Sequence, residues 1–138
     1  MKHILIDSDV IIDFLIDRHP FSEHAISIVA LCEKQIIKGY ITPLIIANAY
    51  YILRKGNSHT AILDQIKRLL SIIDVAEINK DSILQALNSD FKDFEDALQN
   101  FSAERNGNIS IIITRNVKDY KKSALAVFTP ETFLKENF

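Results

Sequence analysis

The run "ISIIIT" at residues 109–114 constrains the fold more than any other stretch of the chain. Three consecutive isoleucines leave no polar face, so a strand built from them must be covered on both sides. Other strand-like runs stand at 2–7 ("KHILID"), 40–42 ("YIT"), 72–78 ("IIDVAEI") and 125–128 ("LAVF"). Helical patterns fill the intervals. One covers 10–16. Pro20 opens another, with Ala25, Ile28, Val29, Leu31 and Cys32 on one face, and it stops before Gly39. Thr42-Pro43 starts a third, with Leu44, Ile45, Ala47, Tyr51 and Ile52 inward, and Gly56-Asn57-Ser58 turns the chain into an amphipathic helix at 59–70. Asn79 caps a short helix. A longer one runs from about Phe94 to Arg105 and ends near Asn106-Gly107. Thr129-Pro130-Glu131 caps the last. This alternation predicts an α/β fold in one domain spanning 1–138, with a mostly parallel sheet of four to five strands, helices on both faces and right-handed crossovers.

The totals restrict function. A formal charge of −2 gives no overall field for a polyanion, so any nucleic-acid contact must rest on a local basic patch or on metal ions. The single cysteine, Cys32, can form no internal disulfide and reads as buried and inert. Asp7, Asp9 and Asp13 interrupt what would be the apolar core of a signal peptide. The longest uncharged run, "GYITPLIIANAYYIL", falls short of the roughly 18 residues a membrane span needs. A cytoplasmic protein with no membrane partner is the expectation.

Ligands of an open α/β sheet sit at the carboxyl ends of its strands. Asp7 ends the first strand there, and Asp9 follows. Asn48 lies one to two turns into the helix leaving the second strand. The helix holding Asp96 must run antiparallel to the 109–114 strand, so its first turn, with Asp93 and Asp96, reaches the same edge; Glu95 points about 100° away from Asp96. Thr114 ends that strand, and "TRNVKDY" adds Asn116 and Asp119. Clustered carboxylates raise one another's pKa, and a divalent cation relieves the conflict. Oxygen ligands with open positions suit Mg²⁺ or Mn²⁺ rather than zinc, and such an ion can stabilise charge on a phosphodiester. His3, His19, His24 and His59 show no ligand spacing.

Each acid also has a structural reading. Asp93 caps its helix or stands behind the ligands, Asp9 caps the 10–16 helix, Asp96 is a favourable charge at a helix N-terminus, and Asp119 is a turn residue. Asp7 has buried neighbours and no evident cap to make. Asp13 and Asp17 read as solvated. The coincidence of several acids on one edge carries the functional reading.

The pieces "ILIDSDVIIDFL", "ITPLIIANAYYILRK", "DFEDALQNFSAERNGNISIIITRNVKDY" and "VFTPETFL" together resemble a PIN domain, the metal-dependent nuclease fold that includes VapC-type toxins of toxin–antitoxin pairs. The resemblance covers nearly the whole chain. It implies a three-layer α/β/α sandwich, an acidic Mg²⁺ or Mn²⁺ pocket, cleavage of single-stranded RNA, a homodimer and a small antitoxin partner. Asp7 matches the first family acid, Asp96 the third and Asp119 the fourth, as metal ligands. Asn48 and Asn116 stand where many relatives carry acids, so they would orient water or an outer group. An amide brings no charge, which implies weaker metal binding than in an all-acid site. Asp9, Asp93, Thr114 and Ser8 would stand behind the ligands, Thr114 or Ser8 holding water. Arg115, Lys118, Lys121 and Lys122 form a basic run that either receives the RNA backbone or is a solvated loop. Tyr50 and Tyr51 either stack bases or pack in the core.

Two rival readings come from other classes. A PIN-like module that binds RNA or a partner without cutting is kept open by Asn48 and Asn116. A haloacid dehalogenase-type phosphotransferase shares the Asp-x-Asp strand end, but "DSDVI" lacks its usual Thr. A response-regulator receiver needs an Asp where "AEIN" has Asn79.

Overall fold

Residues Lys2–Ile6 form the central strand, β1, of a five-stranded sheet in the computed structural model, which describes residues 1–138. The others are β2 (Ile37–Ile41), β3 (Asp74–Val75), β4 (Ile111–Ile113) and β5 (Ala126–Phe128). They lie in the order β3-β2-β1-β4-β5, and every neighbouring pair is parallel. The seven α-helices are α1 (Ser8–Leu15), α2 (Ser22–Glu33), α3 (Pro43–Leu53), α4 (His59–Leu70), α5 (Lys80–Leu87), α6 (Phe94–Asn106) and α7 (Pro130–Asn137), with a 3-10 turn at Val117–Tyr120. No helix is long and apolar enough to cross a membrane.

Alternation along the strands builds the three layers. Ile4 and Ile6 of β1, with Ile111 and Ile113 of β4, pack against Val10, Ile28, Ile45, Leu69 and Phe133 from α1, α2, α3, α4 and α7. Leu5 and Ile112 point the other way, into a smaller core with Tyr40, Ala103 and Tyr120 beneath α6. The Ile111–Ile113 strand is therefore covered on both faces, as its composition demands.

Caps set the helix limits. Thr42 accepts from the Ile45 N–H at 3.3 Å, Asn79 from Ser82 at 2.9 Å, and Thr129 from Thr132 at 3.1 Å. Gly107, at φ 82°, closes α6 in the left-handed conformation glycine favours.

Five sequence expectations change. Helix α3 buries Ile45, Ala49 and Leu53, while Ala47, Tyr51 and Ile52, expected inward, are exposed. The 72–78 strand shortens to Asp74–Val75, because β2, its only partner, ends at Ile41 where Thr42 turns to cap α3. The second strand starts at Ile37 rather than Tyr40, extended by parallel pairing of Lys2–Leu5 with Ile37–Tyr40. Pro20 lies in a turn, and α2 begins at Ser22, whose N–H donates to the Arg18 carbonyl at 2.8 Å. Gly39 ends no helix; it sits inside β2 where a Cβ would fall 2.8 Å from Cys32 Sγ and 3.1 Å from Ile6 Cδ1. Cys32 is buried, as expected, and burial pushes its thiol up to about 11.

That close approach makes Gly39→Ala an overpacking substitution, with an expected cost of about 1–3 kcal/mol in urea unfolding. Pairing it with Cys32→Ala should recover part of the loss, since the blocking sulfur is gone. A strictly additive double variant would show that the contact is not the cause.

The chain leaves β1 towards β2 on one side, while β4 lies on the other. A crevice therefore opens between the carboxyl ends of β1 and β4, where open parallel sheets bind ligands.

Candidate functional site

Asp7 stands at that crevice. Its N–H makes the last rung of the sheet, donating to the Ile113 carbonyl at 2.9 Å. Its side chain then caps α1, with Oδ1 accepting from the Ser8 N–H at 2.8 Å. The cap expected of Asp9 thus belongs to Asp7, because the strand ends one residue earlier and the helix starts at Ser8. Asp7 Oδ2 accepts from the Thr114 hydroxyl at 2.9 Å and from the Tyr120 hydroxyl at 3.2 Å. Thr114 is fully buried, so its hydroxyl holds Asp7 and not a water.

Asp9 lies in the first turn of α1. Its Oδ2 accepts from the Arg115 N–H at 3.0 Å and from Asn116 Nδ2 at 3.2 Å, while its Oδ1 is buried with no partner. Asn116 thus orients Asp9 through its amide N–H.

Arg115 is not part of a free basic run. Its Nε and Nη2 reach Asp13 at 2.7 and 3.2 Å, and its guanidinium lies 3.9 Å from the Phe21 ring centroid. Asp13, expected in solvent, is 1% exposed and also faces Arg18 at 3.7 Å. The reason is positional: Asp13 lies on the inner face of α1, and the β4 loop delivers a cation to it. Asp17 does lie in solvent.

Helix α6 supplies the opposite wall. Asp93 caps it by accepting from the Asp96 N–H at 2.9 Å. Asp96 and Glu95 both line a pocket of about 170 Å³ with Asp7, Asp9, Ser8 and Asn48. Glu95 was expected to point away; the pocket wraps around the first turn of α6 and takes in both residues. Gln99 and Asn116 complete it. Gln99 is buried, its Oε1 accepting from Thr42 at 2.6 Å, which ties α6 to the start of α3.

Asp119 is exposed on the 3-10 turn and lines an adjoining cavity of about 500 Å³ with Asp93 and with Asp96, the one residue the two spaces share. No three acidic, His or Cys side chains stand at metal-liganding spacing. The carboxylates nevertheless feel one another. Burial, then the charge of Asp7, pushes Asp9 up to about 6. Burial, then Asp7, Asp93 and Asp119, pushes Asp96 up to about 7. Burial also raises Asp7, against the hydrogen bonds of Ser8, Thr114 and Tyr120, with Asp119 adding to the rise. Tyr120 is raised by burial and by the charges of Asp7 and Asp96, so it stays a hydrogen-bond donor. A cation with oxygen ligands would relieve such crowding, and the unpaired Oδ1 of Asp9 is a free acceptor beside it.

The crowding has a measurable sign. Between the ordinary carboxylate value of 3.8 and the raised values of about 6 and about 7, the folded chain holds protons that the unfolded chain has released. Stability is therefore fully present below that window and is lost as pH rises through it. Chelator-treated protein should show a higher urea midpoint near about pH 5 than near about pH 8, and Asp96→Asn should narrow the gap. An equal gap in both proteins would contradict this account of Asp96.

Neither Tyr50 nor Tyr51 lines the acid pocket; the Tyr50 hydroxyl meets His59 Nδ1 at 3.0 Å, and Tyr51 is exposed. Tyr120 and Gln99 escaped the sequence reading, and Glu95 was read as turned away from the site. Signals existed for the first two: "KDY" sets an amphipathic aromatic beside Asp119, and Gln99 shares a helix face with Asp96.

The PIN domain family profile matches residues 3–118 of the chain. Ribonuclease VapC1 of Aquifex aeolicus (strain VF5) is 29% identical, over 96% of this chain and 93% of the relative. The fold matches a chain of VapBC2 from Rickettsia felis, bound to a DNA fragment from their promoter, with a TM-score of 0.68 at 15% identity, over 92% of this chain and 98% of the other. A toxin–antitoxin complex from Klebsiella pneumoniae gives 0.65 at 21% identity, over 92% and 97%. The haloacid dehalogenase-type and receiver readings are set aside by the family match.

Proposed function

This chain belongs to the PIN domain family, and on that premise we propose that it is a ribonuclease cleaving single-stranded RNA, the toxin of a toxin–antitoxin pair held by a small antitoxin. The observation that carries the reading is the meeting of Asp7, Asp9, Glu95 and Asp96 in one pocket at the carboxyl ends of β1 and β4, with Asp119 close enough to raise Asp7 and Asp96. The relative named ribonuclease VapC1 supports the substrate.

Asp7, Asp96 and Asp119 would hold one Mg²⁺ or Mn²⁺, with the unpaired Oδ1 of Asp9 behind them. When bound, that ion supplies Lewis-acid stabilisation of a phosphodiester and a more acidic water. The chain's own residues do the positioning. Ser8, Thr114 and Tyr120 fix both oxygens of Asp7, so its carboxylate cannot swing. Asn116 and the Arg115 backbone hold Asp9. Asn48 lines the pocket and offers a neutral amide where an acid would add charge, so metal affinity should be modest.

The test is cleavage of single-stranded RNA by the purified chain with Mg²⁺ or Mn²⁺, against the same reaction in EDTA. Cleavage that the chelator abolishes is expected. RNA binding without cleavage under either condition would favour the second reading that Asn48 supports, a PIN-like binding module.

A further inference from the structure

A cavity of about 500 Å³ adjoins the acid pocket and is walled by two segments: Asp90–Asp93 before α6, and the 3-10 turn with its continuation to Lys122. Lys92 stands on the first wall, and Lys118, Lys121 and Lys122 on the second. Four aspartates line the same space, yet none of these lysines is among the chain's ion pairs. Both signs of charge are thus present and unsatisfied by each other. A ligand suited to such a wall brings an anion for the lysines beside the acids' cation. On the floor, Phe91 packs edge-on against Tyr120, ring centroids 6.2 Å apart, and Tyr120 in turn bonds Asp7. The cavity and the acid pocket share Asp96.

We propose that this cavity is a flanking-nucleotide subsite, taking the phosphate and sugar of a single-stranded RNA residue next to the scissile bond. The reading rests on the ribonuclease proposal and deepens it. The volume falls in the range of small-ligand sites. Backbone phosphate contacts give affinity without sequence choice, which fits lysines as point charges. Lys92 is the informative residue, because it comes from a different chain segment than the other three. A phosphate held from both sides fixes the register of the strand across Asp96.

The experiment uses the full chain carrying Asp7→Asn, with a fluorescein-labelled single-stranded RNA and anisotropy read across a salt series. Lys92→Ala and Lys121→Ala should each weaken binding severalfold and lower the slope of log affinity against log salt by about 0.7. Lys55→Ala, on the exposed turn after α3, should change neither. Unchanged affinity and slope in both cavity variants would overturn the subsite. Loss of RNA binding in the variants sustains it even if the parent chain never cleaves RNA. If the chain with Asp7 intact cleaves RNA, and Lys92→Ala and Lys121→Ala placed in that active chain cleave as it does while binding is unchanged, the subsite alone fails.

Discussion

Replacing Asp7 by Asn should lower single-stranded RNA cleavage by about two to three orders of magnitude and leave folding stability close to the parent's. The two halves of that result have separate causes. Asn ranks with Asp as a helix cap, so the bond from the Ser8 N–H to residue 7 survives. The Thr114 and Tyr120 hydroxyls, which donate to Oδ2, can turn and accept instead. The charge is what disappears, and with it a proposed ligand of the ion. Removing that charge also relieves Asp9 and Asp96, whose raised values owe most to burial and next to Asp7. An NMR titration of Asp96 in the variant should therefore move down from about 7. Asp96→Asn should abolish cleavage to the same degree. Steady-state assays with matched metal decide it: wild-type rates in both variants would end the nuclease reading.

The second large effect is on stability. Asp13→Ala should cost about 3 kcal/mol in urea unfolding, because it leaves the Arg115 guanidinium without its counter-charge in a largely buried place. Arg115 keeps 25% exposure of its side chain, which holds the cost at the lower end of the range for broken buried pairs. The change reaches the site as well. The Arg115 side chain pins the loop whose Arg115 N–H and Asn116 side-chain amide hold Asp9, so losing the pin should loosen that carboxylate. Arg115→Met with Asp13→Leu, which removes both charges together, should recover much of the stability. A cost below about 1 kcal/mol for Asp13→Ala would mean that the pair is no better than a surface ion pair.

The acid pocket and the clamp differ in how legible they were. Asp7, Asp96 and Asp119 each stand where a strand end or helix start can be read from a short window, and parallel-sheet geometry then sends all three to one edge. Asp13 and Arg115 are separated by 102 positions, and neither window hints at the other. A carboxylate on an amphipathic helix reads as solvated until a cation arrives from elsewhere. Glu95 shows a different shortfall. Angle along a helix says which way a residue points, but not how far a pocket curves around the helix end. Gly39 shows a third: a glycine between a helix and a strand resembles a terminator, and only packing against Cys32 and Ile6 reveals the close approach it permits.

By itself the sequence determined the α/β class, the parallel sheet, the helix caps at Thr42, Asn79 and Thr129, and the edge on which the acids gather. Those properties follow from local patterns of apolar residues and from capping side chains, which act over a few residues. Tertiary structure alone decided the strand order, the clamp of Arg115 on Asp13, the tie of Gln99 to Thr42, and the donors that hold Asp7. Each of these joins groups far apart in the chain. The hydrogen bonds and burial that fix them exist only once the layers have closed on the sheet.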